Sequence, residues 1–109
     1  MNRVDYLKTA KPDLVVDLEL YARGRTLPIG LGWGCPCTIH HEREAGWVAY
    51  DGWPLLIDGP MSPGDSRRVG YVFLMGQEAV RYFLRAEKFY LLENRIIGEA
   101  RIVTSDNSN

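Results

Sequence analysis

A chain of 109 residues and 12.4 kDa, 46% hydrophobic and 25% charged, has the composition of one globular domain that builds a core without metal or disulfide staples. Lys and Arg number 13 against 14 Asp and Glu, for a formal charge of -1, and the halves on either side of Pro54 are each near balance. Such a balance excludes the long-range positive field by which basic proteins find nucleic acid or anionic lipid, and leaves only a local basic patch as a route to RNA.

Met1-Asn2-Arg3-Val4-Asp5 lacks the apolar run of a secretory signal, and no stretch approaches the roughly 18 apolar residues of a membrane span. Residues 2–11 read as a polar lead-in. From Pro12 a pattern of period two begins: Leu14, Val16, Leu18 and Leu20 alternate with Val15, Asp17, Glu19 and Tyr21, which predicts a strand with one wet face. Arg23 to Gly34 holds four glycines and a proline and reads as a loop.

Cys35 to His40 reads as a short strand with Cys35, Cys37 and Ile39 on one face. Pro36 lacks a ladder donor and places that strand at an edge or a bulge. A charged turn follows over His41 to Ala45, then a strand over Trp47 to Tyr50. Asp51-Gly52 and Asp58-Gly59 are tight-turn dipeptides flanking a short apolar run. Gly59 to Asp65 is a turn cluster with two prolines.

Arg67 to Met75 is the longest apolar strand, with Val69, Tyr71, Phe73 and Met75 on one side. The period then changes: Val80, Phe83 and Leu84 predict a short amphipathic helix over Gln77 to Glu87. Lys88 to Leu92 and Ile96 to Val103 are strands joined by a turn. The sum is an all-β domain, a small closed antiparallel barrel of about six or seven strands with one helix inserted. Its boundaries are 12–103, after a lead-in over 1–11 and before a flexible tail over 104–109.

Three segments carry a resemblance. Arg25-Thr26-Leu27-Pro28 with Gly32-Trp33 and Cys35-Pro36 resembles a basic loop leading into an Arg-Pro-Gln strand. Met61-Ser62-Pro63-Gly64-Asp65 resembles a Met-Pro-Gly-Asp turn before a long strand. Lys88 to Ala100 resembles a closing hairpin, with Phe89, Glu93, Arg95 and Gly98 in matching places. Together, over about Asp13 to Val103, they resemble the C-terminal β-barrel, domain 3, of translation elongation factor Tu.

The resemblance implies a free-standing barrel and, through Glu93, Asn94 and Arg95, contact with tRNA-like RNA. The chain departs from the family pattern at Cys35 and Cys37, which replace the family's Arg and Gln. Gln77 to Glu87 is an insert, the family's Thr-rich loop has no clear match in residues 40–46, and the phosphate-binding loop of the GTPase domain is missing.

Candidate sites divide into three kinds. Arg23, Arg25 and Trp33 in the first loop, His40, His41 and Arg43 in the charged turn, and Glu93, Asn94 and Arg95 in the hairpin form candidate partner-binding tips on a rigid scaffold. Cys35, Cys37 and His40 are weak candidates for a zinc or copper site; the bland alternative is two inward thiols and a solvated turn. Arg67, Arg68, Arg81, Arg85, Lys88 and Arg95 could gather to read phosphate, against the alternative of ordinary surface charge. Asp17 and Glu19 read as the wet face of the first strand.

The expectation is therefore a non-enzymatic, cytoplasmic binding module without cofactor or membrane partner. Its partner is most simply another protein, with RNA binding and a thiol or metal site as alternatives. Self-association through the Cys35 to His40 edge is left open.

Overall fold

The alternation between Leu14 and Leu20 folds as the pattern predicts. In the computed structural model, which describes residues 2–41 and 48–104, β1 (Leu14–Leu20) buries Val16, Leu18 and Leu20 and leaves Val15, Asp17 and Glu19 exposed. Five more strands follow: β2 (Cys35–Thr38), β3 (Ala49–Pro54), β4 (Ser66–Phe73), β5 (Lys88–Leu92) and β6 (Ile96–Ile102). All pair antiparallel in the order β1-β4-β3-β2-β5-β6, and β6 returns to β1, so the sheet closes into a barrel.

Closure narrows the expected edge. β2 lies between β3 and β5, which leaves only Cys35 and Pro36 with one neighbour for the expected pairing with a second copy. Pro36 is accommodated differently: it faces Asp51 of β3, while pairing with β5 starts only at Cys37. The missing N–H thus falls where the strand has a single neighbour.

Asp51-Gly52 is not a turn. Both residues lie inside β3, with Gly52 buried opposite Phe73. A Cβ there would lie 2.7 Å from a ring carbon of Tyr71 and 2.8 Å from one of Phe73. Aromatic packing, not backbone conformation, selects this glycine. Asp58-Gly59 does turn, with Gly59 at φ +120°. The strand expected over Trp47 to Tyr50 begins at Ala49 among the described residues, and Trp47 lies outside them.

The helix expected over Gln77 to Glu87 is α2 here (Gln77–Ala86), but its buried face is Ala79, Val80 and Phe83. Leu84 is 44% exposed, because only one narrow stripe of so short a helix meets the barrel. Met75 likewise lies beyond the end of β4 and is exposed. α2 closes the barrel end where β4 stops and β5 starts. Phe83 enters the core with ring centroids 4.7 Å from Phe89 and 5.3 Å from Phe73, and Tyr71 stacks on Phe73 at 5.3 Å. Glu87 ends the helix in a left-handed conformation, its N–H donating to the Phe83 carbonyl.

The lead-in holds a second helix, Arg3–Thr9, numbered α1 by its place in the chain. Asn2 caps it by accepting from the Asp5 N–H at 2.9 Å. Leu7 is its one buried side chain, so no apolar period existed to reveal it. Of the expected tail, Thr104 is exposed and residues 105–109 lie outside the described ones. No helix among the described residues is long and apolar enough to cross a membrane.

Candidate functional site

Residues 21–34 leave β1 and run over the barrel end opposite α2. The loop is pinned at several points. The Tyr21 N–H donates to the Ile97 carbonyl at 2.9 Å. Gly24 lies so close to β6 that a Cβ would approach the Ile97 oxygen to 2.6 Å. Ile29 and Met61 exchange two backbone hydrogen bonds of 2.9 Å, and both side chains are buried. The Met61 to Asp65 turn thereby anchors the loop from below, and its own geometry is set by Gly64 at φ +98° and by Asp65, which accepts from the Ser62 N–H.

This anchoring brings two of the three expected tips together. The Arg25 guanidinium pairs with the Glu93 carboxylate at 2.7 Å, and the Trp33 indole N–H donates to the same Glu93 oxygen at 3.3 Å. Arg25 also lies over the Trp33 ring, 5.5 Å from its centroid, and donates to the Leu27 carbonyl at 2.8 Å. Arg95 reaches back to the Arg23 carbonyl at 2.8 Å. The side chains of the 25–93 pair are 16% and 35% exposed, so solvent screening is partial.

Trp33 is half-buried and packs against the core rather than standing free. What remains outward is a rim of Arg23, Asn94, Arg95 and Leu27, the last 66% exposed. Leu27 is the site residue that composition alone passes over: among Leu27, Ile29, Leu31 and Trp33 of this glycine-rich loop, nothing local says which is turned outward.

His40 and His41 are not part of this cluster. They follow β2 while Trp33 precedes it, and the extended chain between them spans roughly 20 Å. The His40 backbone N–H donates to Thr38 Oγ1, and His41 sits edge-on to Tyr90 at 5.0 Å. Arg43 lies outside the described residues.

The thiols turn inward. Cys35 and Cys37 are 7% and 0% exposed, Cys37 Sγ lies 3.7 Å from the Tyr71 hydroxyl, and burial pushes the Cys37 thiol well up. Thiolate, the form that binds metal or attacks, is thereby disfavoured. Among the described residues no three of His, Cys, Asp and Glu lie together as a metal set.

The basic residues do not assemble into a phosphate-reading surface. Arg68 makes a two-pronged contact with Asp17 at 2.8 and 3.1 Å, which holds the Asp17 carboxyl below its ordinary value. Arg67 donates to the Gly59 and Pro60 carbonyls, while Lys88 pairs with Glu99 at 3.6 Å. Glu99 also accepts from the Tyr21 hydroxyl at 2.8 Å; burial, reinforced by that carboxylate, raises the Tyr21 phenol.

A groove of about 460 Å³ runs along the β4-β1-β6 wall, where Asp17, Glu19 and Glu99 offset Arg67, Arg68 and Arg101. A mixed surface of this kind carries no net field of either sign. Asp17 and Glu19 are the wet face of β1, as their spacing predicts.

No protein-family model, curated protein or solved structure matches the chain.

Proposed function

We propose that the protein is a non-enzymatic, cytoplasmic binding module whose contact surface is the braced 23–34 loop with the 93–95 turn, and whose partner is another protein. The observation that supports this most is the Arg25–Glu93–Trp33 brace. It holds a glycine-rich loop in one conformation before any partner arrives, and preorganisation lowers the entropic cost of binding. The rim combines Leu27 with the Arg and Asn side chains that a protein partner reads through hydrogen bonds, beside a half-buried tryptophan.

A second reading, RNA binding, comes from the resemblance to domain 3 of elongation factor Tu. Arg23 and Arg95, adjacent through the Arg95 to Arg23 carbonyl bond, favour it, since neither meets a carboxylate among the described residues. Against it, Glu93 is already committed to Arg25 and Trp33, and the net charge supplies no attraction.

The test is capture from native lysate on wild type, Leu27→Asp, Arg95→Glu and Arg81→Glu, the last remote from the loop. Partners lost with the first two variants and kept by the third support the assignment; partners that survive both loop variants refute it. A filter-binding titration with tRNA at low salt decides the RNA reading, which falls if nothing is retained.

A further inference from the structure

Around Trp53, Val72 and Leu74 the outward face of β3 and β4 is apolar, where the wall of β4, β1 and β6 is charged. Trp53 and Val72 sit opposite one another across the two strands, and α1 covers part of this face by burying Leu7. The cover is incomplete. A groove of about 300 Å³ remains between helix and wall, lined chiefly by Arg3, Tyr6, Trp53, Val72, Phe73 and Leu74. Tyr6 and Leu74 stand 54% and 67% exposed beside it, so apolar surface is left to water.

The volume is at the lower end of ligand clefts, roughly 300–1,000 Å³, and suits one ring or a short alkyl chain rather than a helix. Its polarity is one-sided. The one charged group in the lining is Arg3, whose guanidinium lies over the Trp53 ring, 5.1 Å from the centroid. Among the described residues it meets no carboxylate. A guanidinium held over a ring spends none of its N–H donors on that contact, and its fork of donors matches a carboxylate.

We propose that this groove binds a small amphipathic anion, an aryl or alkyl carboxylate, with its apolar body against Trp53, Val72 and Leu74 and its carboxylate on Arg3. The apolar body replaces water on exposed hydrocarbon and indole, and the carboxylate supplies the partner that Arg3 lacks. Each half of the ligand answers a separate feature of the groove, so the two contributions separate by substitution.

The test titrates the isotope-labelled full chain with octanoate and, in parallel, with octan-1-ol, following the Trp53 indole N–H and the Leu74 methyls by NMR. Octanoate is expected to shift both groups saturably at a single site and to bind about tenfold more tightly than the alcohol. Arg3→Gln, at an exposed position whose loss leaves the barrel intact, abolishes that preference and leaves the alcohol unchanged. Leu74→Glu weakens both ligands.

Equal affinity for the two probes overturns the proposal, as does octanoate binding that Arg3→Gln does not weaken. The absence of any shift at Trp53 at millimolar octanoate also overturns it. So does self-association of the free chain that Leu74→Glu abolishes, because the groove is then filled by a second copy.

Discussion

Gly52→Ala sets two effects of opposite sign against each other. Alanine costs less backbone entropy than glycine in a strand, a gain of about 0.5–1 kcal/mol. The new methyl, however, meets Tyr71 and Phe73 ring carbons at 2.7 and 2.8 Å, closer than Cβ atoms come in real structures. Neither ring can retreat. Tyr71 is fully buried and Phe73 is 4% exposed, and Tyr71 and Phe89 press on each other at 5.1 Å while Phe83 backs Phe73.

Overpacking of this kind costs about 1–3 kcal/mol, so the clash outweighs the entropy gain. With about 4–8 °C of melting temperature per kcal/mol in a domain near this size, the expected drop is several degrees and as much as about 15 °C. Thermal unfolding read by circular dichroism measures it. Gly30→Ala is the control, since a Cβ there meets nothing within 4 Å, and it is expected to be neutral or to stabilise by about 0.4–1 kcal/mol. A Gly52→Ala protein as stable as wild type refutes the account that ring packing selects this glycine.

Glu93→Gln removes the charge that gathers Arg25 and Trp33; global stability is expected to fall by about 1 kcal/mol or less, while acrylamide quenching of tryptophan fluorescence rises as the loop loosens. Ellman's reagent is expected to label Cys37 only after denaturant is added, and rapid labelling of the native protein contradicts its placement beside Tyr71. Because burial raises the Cys37 thiol, its contribution to stability is complete below the ordinary thiol value of 9.0 and declines as pH rises above it; Cys37→Ala is expected to flatten alkaline unfolding. For Asp17 the sign reverses. Its carboxyl lies below 3.8 through Arg68, so the pair's contribution is present at neutral pH and is lost as pH falls through that lowered midpoint; Arg68→Gln is expected to return the Asp17 titration, followed by NMR, toward 3.8.

The barrel was legible in the sequence wherever one strand face is wet and the other buried. β1 is the clearest case: Leu14 to Leu20 alternates, and its burial follows the same alternation. α2 was equally readable from the shift to a period of 3.6, apart from Leu84. α1 was not, because a helix that buries only Leu7 leaves no periodic trace, and its one start signal is the Asn2 cap. Of the three candidate tips, Arg23 to Trp33 and Glu93 to Arg95 meet in space. His40 and His41 were placed with them only because nothing local records which end of β2 a residue occupies.

What the sequence by itself determined, then, is local: which side chains share a face, where the chain turns at Asp58-Gly59, and that the domain is β. The tertiary structure alone decided the neighbours. Gly52 became a strand residue because two rings need its missing side chain, and Glu93 joined Arg25 across 68 positions because β1, β5 and β6 close the same sheet. Alternation is a property of a strand and its solvent, written within a few consecutive residues. Contact between distant segments depends on register and closure, which no short stretch of sequence contains.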